Sequence, residues 1–209
     1  AAHTGKYSIK VGPSSKAIKD ALMDPNCTFI PIDDITDPTT FPHQTPPQPV
    51  YAHHVTNCDC LGSFEPMPGK KYIVSAWTKE TTIPNPTAGI TNYTAPSLKI
   101  TFTSSSTVYT FSPKGNVVDG WQQIFESFDI PAGATGVKVE LVNTSSNRNV
   151  YFDDIRLHPN DGNMVSYVYD PISLKTMAEL DANNYATFYV YDDEGHLNKV
   201  KKETTEGIK

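Results

Sequence analysis

The chain has 209 residues, of which 19% are charged, with a formal net charge of −6 and a pI near 5.4. Without a basic patch there is nothing to neutralise phosphates, which argues against nucleic-acid binding. No apolar run approaches the ~20 residues that carry a helix across a membrane, and the abundance of Thr, Ser, Asn, Pro and Tyr suits short strands joined by turns rather than a helical bundle.

The chain opens Ala1-Ala2-His3-Thr4-Gly5 without an initiator methionine and closes Glu206-Gly207-Ile208-Lys209, which reads as a piece of a longer parent chain. From His3 to Val11 the alternation of Tyr7, Ile9 and Val11 with Ser8 and Lys10 predicts a strand. Lys16 to Met23 reads as one short helix, with Ala17, Ile18, Ala21 and Leu22 on one side. A Pro-rich insertion follows at about 24–61. Proline removes the ladder donor and fixes φ, so Pro38 to Pro49 is neither helix nor central strand but a surface loop.

The insertion holds all three cysteines, Cys27, Cys58 and Cys60. Cys27 paired with Cys58 or Cys60 would contribute roughly 3–4 kcal/mol in the chain-entropy model. Inert thiols, or a soft-metal site of His53, His54, Cys58 and Cys60, are the alternatives.

Beyond Phe64 the pattern becomes regular. Strands are expected at Lys70–Lys79, Ser97–Thr103, Thr107–Phe111, Gly120–Ile130, around Val137–Leu141 and at Val150–Leu157, with turns at intervals typical of an antiparallel sandwich. A cluster of turn formers from His158 to Gly162 marks a boundary, giving a domain at 1–159 and a β-hairpin segment at 160–209. In that segment Tyr-Val-Tyr-Asp occurs twice, at Tyr167–Asp170 and Tyr189–Asp192. A repeat of about two dozen residues is one strand-turn-strand unit that cannot bury its apolar face alone, so the segment must pack on the sandwich or on further repeats. Asp193-Glu194-Gly195 is read as the turn before a strand at Leu197–Lys202.

Several phrases, in order and spacing, resemble the jelly-roll carbohydrate-binding modules attached to bacterial xylanases and related glycosidases. They are Pro68-Gly69-Lys70-Lys71-Tyr72-Ile73-Val74-Ser75-Ala76-Trp77, Gly120-Trp121-Gln122-Gln123, Phe128-Asp129-Ile130-Pro131 and Tyr151-Phe152-Asp153-Asp154-Ile155. The tail, with its two Tyr-Val-Tyr-Asp phrases and the run Ala178 to Tyr189, resembles YD-repeat (Rhs-type) sequence of large surface or secreted proteins of Bacteroidetes. The chain departs from the module pattern in lacking its opening strand and in carrying the Pro-rich insertion.

Together these resemblances imply an all-β chain: an antiparallel jelly-roll β-sandwich with a C-terminal β-hairpin extension. They imply a non-catalytic module of an exported, extracellular or cell-surface bacterial protein, with a polysaccharide or surface glycan as partner and no membrane insertion. The rival expectation is a purely structural domain that caps or docks on a YD-repeat shell.

The aromatics Trp77, Tyr93, Tyr109 and Trp121 are the candidate sugar platform, because ring faces stack on pyranose C–H faces. Each tryptophan has core packing as its competing reading. In the resembled modules the acid matching Asp153 helps hold a structural calcium, so Asp153 with backbone carbonyls around Gly5 and Lys6 is the implied metal set; turn capping or a salt bridge to Arg156 is the alternative. Carboxylate pairs such as Glu126/Asp129 and Asp192/Asp193 would be needed for a glycosidase. The first pair sits on opposite faces of a strand and the second in a turn, so no catalytic residue is expected. The repeated tail tyrosines are read as ladders across adjacent hairpins.

Overall fold

Period-two alternation of apolar and polar side chains dominates the chain, and strands are what it forms. A computed structural model describes residues 2–22, 66–81 and 92–209, and these contain no helix. Its strands are β1 (Ile9–Val11), β2 (Lys16–Leu22), β3 (Lys71–Thr81), β4 (Pro96–Thr103), β5 (Ser105–Phe111), β6 (Lys114–Val118), β7 (Trp121–Asp129), β8 (Gly136–Asn143) and β9 (Asn149–Pro159). A tail follows of β10 (Ser166–Tyr169), β11 (Thr176–Leu180), β12 (Ala186–Tyr191), β13 (Leu197–Thr204) and β14 (Gly207–Ile208).

The first nine strands build two antiparallel sheets, β1-β9-β3-β7-β6 and β2-β8-β4-β5. The chain crosses repeatedly between them, giving a jelly-roll-like sandwich. Val74, Ala76, Leu98, Ile100, Ile124, Phe128, Val150 and Phe152 fill the space between the sheets and are almost wholly inaccessible. Buried polar groups there are matched: the Glu80 carboxylate accepts the Thr94 and Ala95 amides and pairs with Arg148. The tail forms a third antiparallel sheet, β10-β11-β12-β13-β14.

The strands expected from Lys70 onward all form, within a few residues. β6 was not anticipated, and only Ile9–Val11 of the expected first strand enters a ladder. Lys16–Leu22 corrects the expected helix: it is a strand paired to β8 along its whole length, from Lys16↔Val142 to Leu22↔Gly136. A seven-residue segment is too short to hold a helix by itself, and a short apolar run does not reveal its period; the exposed edge of β8 decides. The Pro-rich insertion, the cysteines, His53 and His54 lie outside the described residues.

Candidate functional site

The outer face of β3 is where the sandwich meets its tail. Val74 and Ala76 point into the core, so Ser75 and Trp77 point away from it. β9 carries a bulge opposite: Ser75 pairs with Arg156 and Trp77 with Asp153, leaving two residues facing Ala76. Asp154 sits in that bulge with φ of +47°, a left-handed conformation that Asp tolerates better than most residues. The bulge turns Asp153 and Asp154 together onto the outer face.

The turn between β11 and β12 lands on this face. Trp77 Nε1 donates to the Asn184 carbonyl at 2.6 Å, and Asn184 Nδ2 donates to the Asp154 carbonyl at 2.8 Å. The Arg156 guanidinium donates to the Leu180 and Asp181 carbonyls at 3.0 and 2.6 Å. Gln123 Nε2 reaches the Asn183 carbonyl and Asn116 Nδ2 that of Thr205. Apolar contact completes the seam: Trp77, Val118 and Trp121 form a second buried cluster with Tyr151 and Tyr185 against it.

At the centre stands His3. Its ring stacks on Trp77, with centroids 4.4 Å apart and planes 18° apart. Nδ1 bonds Asp154 at 2.7 Å and Nε2 bonds Glu203 of β13 at 2.8 Å. Burial opposes the charged imidazole, but the hydrogen bonds and negative charges of Asp154 and Glu203 outweigh it and raise the pKa from 6.5 to about 9. His3 is thus an imidazolium at neutral pH, bridging sandwich and tail. Glu203 also accepts the Ala186 amide through its other oxygen, at 3.0 Å, and Thr4 Oγ1 donates to Asp154 at 2.6 Å.

The expected sugar platform is not offered to solvent. Trp77 is 1% exposed, Trp121 4% and Tyr93 6%. The tryptophans take their core-edge reading because the chain's own tail covers them, and Tyr93 is fixed by its hydroxyl donating to the Gly120 carbonyl. Tyr109 packs half-buried on Phe111, Phe102 and Phe128 and donates to the Asp129 carbonyl. The four rings do not converge on one surface.

The residues implied for calcium do come together, but around other partners. Asp153 accepts the amides of His3, Thr4 and Asp154 at 2.7, 3.4 and 2.9 Å. N–H donors aimed at a carboxylate occupy the lone pairs a cation would need, and the imidazolium beside them already supplies positive charge. Burial and the neighbouring Asp154 push the Asp153 carboxyl above its ordinary range. Gly5, at φ of +65°, passes so close to the tail that a Cβ there would meet Val168 Cγ1 at 2.9 Å. The Lys6 side chain pairs with Asp170 of the tail at 2.6 Å. The Asp153 carboxylate is thus engaged by amides of the chain itself, beside the His3 imidazolium.

The inner face of the tail sheet, carrying Ala178, Leu180, Ala186 and Glu203, is buried. The alternate positions form an outer face that sequence reading had assigned to ladders. There Tyr167 and Tyr169 are each 53% exposed, their rings 6.5 Å apart. The Tyr189 hydroxyl reaches Glu179 at 3.3 Å on the same face.

Sequence reasoning passed over His3, Glu203, Asn184 and Arg156 as a set. They lie up to 200 residues apart, and no local pattern links them.

No family model and no curated protein matches the chain. Among solved structures, the enzymatically active domain of bacteriophage CBA120 tailspike protein 4 is 15% identical over 44% of this chain and 12% of that one, with a TM-score of 0.32. The CBM22-1–GH10 modules of Clostridium thermocellum endo-1,4-beta-D-xylanase 10B, solved with xylohexaose, are 21% identical over 50% of this chain and 19% of that one, with a TM-score of 0.34. The chain therefore spans less than a fifth of either structure.

Proposed function

We propose that this chain is a non-catalytic β-sandwich module of a larger exported protein, and that its work is structural: it seats the first hairpins of a YD-repeat-like sheet. The observation that carries this reading is the covering of the Trp77 face by the chain's own β11–β12 turn, tied through the Asn184 carbonyl. A module built to hold polysaccharide on that face would leave those rings open, and here they seal a seam. Hydrogen exchange on the intact chain tests it. Amides 184–186 are expected to exchange as slowly as those of β3, by global opening. Exchange of those amides at the rate of exposed turns would defeat the docking reading.

A second reading, recognition of a polysaccharide or surface glycan, is favoured by one observation: Tyr167 and Tyr169 stand as a half-exposed ring pair beside Tyr189 and Glu179. Sugar faces stack on such rings while carboxylates take hydroxyl protons. A polysaccharide and glycan-array screen on the wild-type chain and on Tyr167→Ala/Tyr169→Ala decides it. Binding lost in the double variant supports this reading; absence of binding by folded protein removes it.

A further inference from the structure

Residues 2–8 belong to no strand, yet His3 to Lys6 are held as a bound peptide would be, between the sandwich and its tail. The His3 and Thr4 amides donate to Asp153 Oδ2 at 2.7 and 3.4 Å. The His3 ring stacks on Trp77 between Asp154 and Glu203, its side chain 3% exposed. Thr4 Oγ1 donates to Asp154 Oδ1 at 2.6 Å. Gly5 passes under Val168, and Lys6 pairs with Asp170 at 2.6 Å.

Each position sets its own requirement. The first needs a flat ring that stacks on an indole while bonding a carboxylate at each of two nitrogens, as imidazole does. The third needs glycine, because a Cβ there would meet Val168 Cγ1 at 2.9 Å and the φ of +65° disfavours side chains. The fourth needs a cation opposite Asp170. Main-chain hydrogen bonds joined to pockets for particular side chains are how proteins recognise extended peptides. The walls supply four carboxylates, Asp153, Asp154, Asp170 and Glu203, so the groove favours a cationic segment.

Tyr7, which joins this segment to β1, is 80% exposed, and none of the contacts of His3 to Lys6 requires that segment and groove belong to one molecule. Exchange of an identical element between copies is a low-cost route to dimers. We infer that the groove between sandwich and tail is a peptide-recognition site, filled here by the chain's own His3–Lys6 segment, and that a second copy's segment fills it by exchange. A short tether holds the chain's own segment at an effective concentration on the order of millimolar, so the dilute wild-type chain stays filled by itself. The site rests on the docking reading, since Asp170 and Glu203 belong to the tail, and not on the glycan one.

The test uses the full chain and a synthetic peptide of residues 1–8. His3→Ala/Lys6→Ala weakens the chain's own segment at both ends and leaves the four carboxylates in place. Isothermal titration is expected to show one-to-one binding of the peptide to this variant, with a rise in Tm. Binding should be at least tenfold weaker to the wild-type chain, whose groove is filled, and for a peptide carrying His3→Ala. Gly5→Val, which dislodges the segment by its clash with Val168, takes the variant's place if the double substitution does not fold. In sedimentation, mixing the double variant with Asp154→Asn/Glu203→Gln, whose segment is released, is expected to give a heterodimer that neither forms alone. A folded variant that binds no peptide overturns the inference, as does equal binding of the His3→Ala peptide or a mixture that stays monomeric. Amides 184–186 of the wild-type chain report docking separately: fast exchange there removes the docking reading and the site together, whereas slow exchange without peptide binding removes the site alone.

Discussion

The His3 ring lies flat on the Trp77 indole, 4.4 Å between centroids, and this contact joins the start of the chain to the centre of the sandwich. The same ring reaches Glu203 near the end of the tail. One protonated side chain thereby fastens three parts of the fold, in a place where two buried carboxylates would otherwise repel each other.

Replacing that ring should be costly. His3→Ala leaves Asp154 and Glu203 buried without their shared cation, and breaking a buried charged pair by removing one partner costs roughly 3–5 kcal/mol. Urea unfolding monitored by tryptophan emission measures it. A loss under about 0.5 kcal/mol, the scale of ordinary surface substitutions, would mean that the cluster does not hold the seam.

The pH dependence has a definite sign. The folded-state pKa of His3 is raised, from 6.5 to about 9, so its contribution is fully present below pH 6.5 and is lost as pH rises through 9. At about 1.4 kcal/mol per pH unit the span is worth roughly 3 kcal/mol. Asp153, whose folded-state pKa is also raised, adds a loss that begins lower, as pH rises through the ordinary carboxylate range. Thermal melts of the wild-type chain are expected to fall between pH 7 and 9.5, and those of His3→Ala to stay nearly flat over that interval. Parallel profiles for the two proteins would refute the assignment.

Much of the sandwich was legible because its signal is local. Leu98, Ile100 and Phe102 alternate with Lys99, Thr101 and Thr103, and the strand follows. Lys16–Leu22 was misread because Ala17, Ile18, Ala21 and Leu22 fit a helical face as well as a strand, and only pairing with β8 separates the two. The seam was illegible for a different reason. Trp77 and Trp121 look the same in sequence whether they face a sugar or a hairpin, and what covers them lies about 60 to 110 positions later. The acid at Asp153 was noticed, but its partners are amides and a histidine, which a metal-ligand pattern does not anticipate.

Arg156 provides a direct probe of docking. Its guanidinium donates to the carbonyls of Leu180 and Asp181; Arg156→Ala removes that charged donor from the seam, at about 1.5–3 kcal/mol for a hydrogen bond to a charged group, while the Asp181 carbonyl keeps the Asn184 amide. The chain's two tryptophans are both in that seam, so intrinsic fluorescence reads the seam alone. A red-shifted emission and faster exchange at amides 184–186 are expected. Unchanged emission together with unchanged exchange would show that the turn is held without Arg156.

Calcium should be without effect. A cation present at a hundred times its Kd and binding only the folded state would add about 2.7 kcal/mol, a rise of several degrees in Tm. The Asp153 carboxylate already accepts three amides and the His3 imidazolium stands beside it on Asp154, so no such rise is expected at neutral pH, nor a fall with EDTA. A chelator-sensitive Tm that His3→Ala leaves intact would place a metal in the described fold and reopen the reading of this site.

The two faces of the tail sheet should lose unequal amounts of stability on truncation. Leu180 is 1% exposed on the inner face while Tyr167 and Tyr169 are 53% exposed on the outer one. Leu180→Ala removes buried methyl groups and leaves a cavity, at about 2–5 kcal/mol. The tyrosines lose mostly solvated ring surface, so each is expected to cost under about 1 kcal/mol when changed to alanine. Denaturant midpoints at constant m-value compare the three variants. If a tyrosine substitution cost as much as Leu180→Ala, the outer face would be packed against something in solution, and self-association of the chain would be the first thing to measure, by sedimentation.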